Sequence, residues 1–253
     1  MPTLILSSAG LLLESLILFR GFRNRILSKY PLFYAYIFCV LLLDISSYGV
    51  YGMSPGTYRN WYWATQIIIL LVGYGVILEI VHKALSPYAG ADRVAAVFVA
   101  GIFGLVFLFV IYKSLVAPNW SPATTYYELE RDLRAVQAIV LASILGVIFG
   151  YGISIGRNLK GIILGYGLYI GSSIISLALR AYGGTSFHAT WRLIQPYAFL
   201  VSLCVWATAM WSWQENPVPR MPDRFESDYE SFALRTRALL GSLRSYLERT
   251  ARP

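Results

Sequence analysis

Seven near-continuous apolar runs dominate this chain, at about residues 3–19, 31–52, 61–82, 94–116, 133–155, 161–181 and 193–213. Each approaches the length of about 20 residues that an α-helix needs to cross the hydrocarbon of a bilayer. In that solvent every backbone N–H and C=O must be satisfied internally, which leaves helices and closed barrels as the only spanning structures. Barrel strands would alternate apolar and polar residues over about ten positions, whereas these runs are solid. The expected fold class is all-α: a polytopic integral membrane bundle of seven transmembrane helices over residues 1–213. The breaks carry turn chemistry, as in "MSPGTYRN", "LSPYAGADR" and "GRNLKG". Composition agrees, because 57% hydrophobic and 13% charged residues are too apolar for a single soluble core.

Direction follows from Lys and Arg. With the N-terminus outside, Arg20, Arg23, Arg25 and Lys29, then Lys83 and Arg93, then Arg157 and Lys160 fall inside. Seven arginines of the C-terminal tail join them, and only Arg59, Lys113, Arg131, Arg134, Arg180 and Arg192 stay outside. Fifteen against six predicts an N-out, C-cytoplasmic chain. The net charge of +8 is thus an orientation signal and a contact with anionic lipid, and gives no support to nucleic-acid binding. The first run lacks a basic stretch before it and a small-residue cleavage site after it, so it is expected to remain as span one. Short loops and the lack of targeting signals point to the inner membrane of a bacterium. Cys39 and Cys204 fall inside apolar runs and read as packing residues rather than a disulfide.

Seven helices with an outer N-terminus is also the architecture of rhodopsins and G-protein-coupled receptors, a likeness of architecture that fixes no function. Span three ends "ILEIVHKAL" without a D-R-Y-like triplet, and span seven has no N-P-x-x-Y. No lysine lies in span seven to hold retinal. Nucleophile elbow, phosphate loop, H-E-x-x-H, Rossmann fingerprint and zinc spacing are all missing, and His82 and His188 fall on opposite sides. The chain is therefore not expected to be an enzyme, and no catalytic residue, metal or cofactor is assigned.

Asp44 stands out within "LLLDISSYG". A charged side chain at the bilayer centre costs about 2.5–3.5 kcal/mol on the insertion scale, so it is expected to face the bundle interior. Helical spacing puts Tyr36, Val40, Leu41, Ser47, Tyr48 and Tyr51 on its stripe. Other spans offer Gln66 below Tyr62, the run Tyr169, Ser173, Ser176 and Arg180, and Trp191, Gln195 and Ser202. Together these predict an outer-half chamber for a small ligand, with Asp44, Tyr48, Tyr51, Gln66, Ser176, Arg180 and Gln195 as binding residues and Arg180 partly balancing Asp44. The competing expectation is that the same groups only lock the bundle through interhelical hydrogen bonds. Glu14 is the second intramembrane acid, about 10 Å from Asp44 in depth at 1.5 Å per residue. Two staggered acids could pass protons through water, which is the transporter alternative. Glu79 and His82, beside Lys83, read as interfacial and solvated.

Spans five and six carry glycines four apart, Gly146 with Gly150, Gly152 with Gly156, Gly161 with Gly165 and Gly167 with Gly171. Such small residues let backbones approach, so these two helices are expected to pack as a tight antiparallel hairpin, or else to seam a homo-oligomer. After span seven comes a Pro-rich linker at 214–225, then an amphipathic cytoplasmic helix over 226–253. Ser227 and Glu230 form a capping box, and Phe225, Tyr229, Phe232, Thr236, Leu239, Leu243, Tyr246 and Thr250 repeat in steps of four and three. This helix is expected to lie on the inner leaflet or to dock a protein partner. The leading functional expectation is a receptor-like sensor that signals through that partner, ahead of a proton-linked transporter and a structural subunit of a larger complex. The expected partners are the lipid bilayer, that protein partner and a second copy of the chain.

Overall fold

The computed structural model describes residues 2–50, 55–86, 91–116, 122–182, 184–215, 217, 227–228, 230–239 and 241. Its helices are α1 (Pro2–Arg23), α2 (Pro31–Val50), α3 (Pro55–Leu85), α4 (Ala91–Val116), α5 (Pro122–Gly150), α6 (Arg157–Tyr182) and α7 (Gly184–Ala209). One helix occupies each apolar run, and no strand occurs among the described residues. Ala64–Leu85, Arg131–Gly150 and Arg157–Ser176 are long and apolar enough to cross a membrane, which marks a membrane protein. Pro31–Ser47, Val94–Phe109 and Ile194–Ala209 are shorter apolar stretches. A further helical stretch covers 230–239, with Phe232, Leu234 and Leu239 exposed.

Prolines at the first position open α2, α3 and α5, where the missing N–H costs no helical bond. Helix α5 stops at Gly150, short of the apolar run's end at about residue 155. Gly152 takes φ +63°, and its N–H bonds to Phe149 O (3.3 Å) while Ile153 N–H bonds to Ile148 O (2.8 Å). This is a Schellman termination, which needs the left-handed conformation that glycine adopts without strain. Helix α7 likewise ends at Ala209 rather than near residue 213, because side chains from α6 take over its last carbonyls (below). Hydropathy marks depth in a bilayer, and hydrogen bonding decides where a helix stops.

The helices close a ring: each touches the next, α7 returns to α1, and α3 also touches α5 and α6. Aromatic rings fill its interior. Trp206 of α7 is completely enclosed, with ring centroids of Phe33 at 5.5 Å, Tyr36 at 6.1 Å and Phe199 at 6.4 Å. Leu105, Leu108, Phe109, Phe149 and Leu164 stand exposed on the outside, as lipid-facing residues should.

The close glycine contact joins α6 to α7, not to α5. A methyl group at Gly161 would overlap Ala209, and one at Gly165 would overlap the Trp206 indole. Gly146, Gly150 and Gly171 have open space beside them. Glycine spacing says where a backbone can be approached, and the flat indole and small alanine of α7 decide what approaches. Cys39 is half-buried and Cys204 exposed, and both are free thiols.

Candidate functional site

Glu14 lies on the inward stripe of α1, between Gly10 and Ile17, and is fully enclosed. Neither of its carboxyl oxygens accepts a hydrogen bond. Buried polar groups are partnered in the great majority of cases, so an exception this deep needs a reason. A second acid in an apolar run, Asp44, is on α2. The stripe holding Asp44 is buried at Tyr36 and Val40 and becomes exposed at Asp44. There it borders a groove of about 240 Å³ between α1, α2 and α7, lined also by Leu6, Ser7, Gly10, Pro196 and Phe199. Gly10 is in the groove wall, and Glu14 sits one turn further along the same face of α1. Pro196 breaks the hydrogen-bond ladder of α7 at this level, since it has no N–H for the carbonyl four residues earlier.

A second polar centre lies across α7. Ser173 Oγ of α6 accepts from Arg134 Nη1 (3.3 Å) and Gln195 Nε2 (2.8 Å), and donates to Tyr169 O (2.9 Å). That uses the full capacity of a hydroxyl. Arg134 also donates to Tyr169 Oη (3.3 Å) and lies over the Tyr169 ring, 5.2 Å from its centroid. Gln137, one turn on, donates to Leu70 O of α3 (3.4 Å). Gln195 Oε1 and the Tyr74 hydroxyl are enclosed here without a partner. Phe199 borders the Asp44 groove and packs edge-on against Tyr169 at 5.4 Å, so its ring touches both centres.

The described site residues therefore fall into two groups. Gln195 joins Ser173, with Ser176 buried one turn along, whereas Asp44 lines the groove and Glu14 lies enclosed one turn from its wall at Gly10. Gln66 is half-buried one turn before Leu70. Tyr51 and the side chains of Tyr48 and Arg180 lie outside the described residues. Of the residues expected to line one chamber, Asp44 thus borders the α1–α2–α7 groove and Gln195 bonds within the Ser173 centre. Arg134, counted from the sequence among the outer cations, is a buried interior residue. Its signal was the stripe Arg134, Gln137, Leu141, Ile144 and Ile148, which is buried along its length.

The end of the bundle where α2 and α6 begin is closed by bonds. Glu79 is buried rather than solvated, and its carboxylate accepts from Leu32 N–H (3.2 Å) and Phe33 N–H (2.8 Å). It caps the N-terminus of α2 from another helix, satisfying donors that no intrahelical carbonyl reaches. Asn158 donates to Ala209 O (2.8 Å) and Ser212 O (3.0 Å) and accepts from Gln214 N–H (2.9 Å). The Arg20 guanidinium covers the Trp211 ring at 3.6 Å, and Asn24 donates to Trp211 O (3.1 Å). Burial, with the Glu79 charge nearby, pushes the Tyr30 phenol up to about 12. Tyr151 Oη donates to Asp228 Oδ2 (3.2 Å), tying the start of the tail helix to the α5–α6 turn.

Among the described residues no group of three or more His, Cys, Asp or Glu side chains is placed to hold a metal ion. No family model, curated protein or solved structure matches the chain.

Proposed function

We propose that all seven helices cross the membrane, N-terminus outside and C-terminus cytoplasmic, in a bacterial inner membrane, and that the protein is a proton-linked transporter of a small solute. The observation that carries this reading is Glu14, an enclosed carboxyl with no hydrogen bond on either oxygen. An ionised carboxylate in that place lacks compensation, and the neutral acid is the form an apolar site accepts. A group that must take a proton to rest and lose it to act suits a carrier. Asp44 supplies the step between groove and interior, and Pro196 gives α7 a place to bend beside it. The distribution of Lys and Arg, fifteen against six, supports the orientation.

A second reading, the ligand-binding sensor, is favoured by the Arg134–Ser173–Gln195 centre with its unpartnered Gln195 oxygen. The tail helix, tied to the α5–α6 turn through Asp228, would then report occupancy to a partner.

Proteoliposomes holding a pH dye and challenged with a panel of small solutes decide between them. Transport predicts solute-dependent lumenal acidification that falls to the protein-free level in Glu14→Gln. Acidification unchanged in that variant overturns the proposal. Solute binding without proton movement, lost in Arg134→Gln, selects the sensor.

A further inference from the structure

The carboxyl pair leaves unexplained a second cavity, of about 550 Å³, at the inner end of α5 and α6. That volume is in the range of about 300–1,000 Å³ typical of ligand sites. One part of its wall is apolar: Leu145, Ile148, Phe149, Ile163 and Leu164. Phe149 and Leu164 are largely exposed, 79% and 66%, so the cavity opens sideways into the acyl region rather than into the bundle. The other part is polar and cationic. Lys160 stands on the first turn of α6, exposed, with the Ser154 hydroxyl also at the wall. No acidic side chain lines the cavity, and Lys160 makes no ion pair among the described residues. The N-terminus of α6 adds its own positive potential at this end.

We infer that this groove is a specific binding site for an anionic phospholipid of the cytoplasmic leaflet, its acyl chain against Ile148, Phe149 and Leu164 and its headgroup on Lys160 and Ser154. A slot apolar at membrane depth and cationic at one end matches that amphiphile and no neutral one. The Schellman turn at Gly152 makes the slot, because it ends α5 early and leaves α6 to continue alone beside the gap. The inference needs the membrane placement but no proton movement, and it stands if Glu14 proves silent.

The test uses the full chain equilibrated with vesicles of mixed phosphatidylcholine and phosphatidylglycerol, then native mass spectrometry of the retained lipid. The wild type is expected to retain phosphatidylglycerol in preference. Lys160→Gln should cut that preference about fivefold, the effect of one lysine at an anionic surface, and Lys160→Arg should restore it. Leu164→Trp, an exposed and fold-neutral change, should lower retention of both lipids by filling the slot. A photoreactive side chain at position 164 should link to phosphatidylglycerol. Equal retention of the two lipids, a Lys160→Gln variant that behaves as wild type, or linkage from 164 to the chain beyond Pro217 would each overturn the inference.

Discussion

The junction of the start of α6 with the end of α7 and the region of the α1, α2 and α7 groove handle polar atoms in opposite ways. At the junction, Asn158 makes three bonds to main-chain groups beyond or at the end of α7, and the Trp206 N–H donates to Ile162 O at 3.3 Å. Gly161 and Gly165 bring the backbones together beneath Ala209 and Trp206. One turn along α1 from the groove wall, Glu14 is as deeply enclosed as Asn158, and neither of its oxygens has a partner. Both sites lie within one bundle, so the contrast is not a matter of burial. A satisfied buried amide rigidifies; an unsatisfied carboxyl costs stability and persists where something else needs it.

That contrast can be broken at either end. The largest effect is expected from Trp206→Ala, which empties the centre of the aromatic core and should lower unfolding stability by about 3–5 kcal/mol, read as a fall in the thermal midpoint in detergent. Next comes Gly165→Leu, whose side chain has no room beside the indole. It should cost about 1–3 kcal/mol and perturb Trp206 fluorescence. Asn158→Ala should cost about 1–3 kcal/mol by orphaning the Ala209 carbonyl, while Arg157 still holds that of Ser212, with faster hydrogen exchange confined to 209–214. The smallest change sharpens the comparison most: Glu14→Leu should leave stability level or raise it by about 1 kcal/mol, since no hydrogen bond is lost. A loss comparable to that of Asn158→Ala would make Glu14 a structural residue like the others.

The apolar runs located all seven helices, three of which carry a described stretch long and apolar enough to cross a membrane. They could not locate helix ends. Those depend on Gly152 adopting a left-handed turn and on Asn158 capturing the carbonyl of Ala209. Periodicity put Asp44 inward, but it could not say which helices it would face, and the residue stands exposed at the α1–α2–α7 groove. Phe199, an ordinary apolar residue in sequence, both borders the Asp44 groove and packs on Tyr169 of the other polar centre. Arg134 was hidden for a related reason. Beside Arg131 and Asp132 it resembles a boundary cation, and only the partners on α6 reveal that it points in. Glu79 is the same lesson reversed: an acid next to Lys83 looks solvated until the N-terminus of α2 arrives above it. Pairing across helices is a tertiary property, and one-dimensional spacing does not carry it.

The claim at the centre is that Glu14 binds and releases a proton inside the bundle, with Asp44 at its door. Infrared difference spectra of the reconstituted protein between acid and alkaline buffer measure this directly. The account predicts a protonated-carboxyl stretch that titrates in the wild type and is missing in Glu14→Gln. A spectrum identical in the two proteins would contradict it.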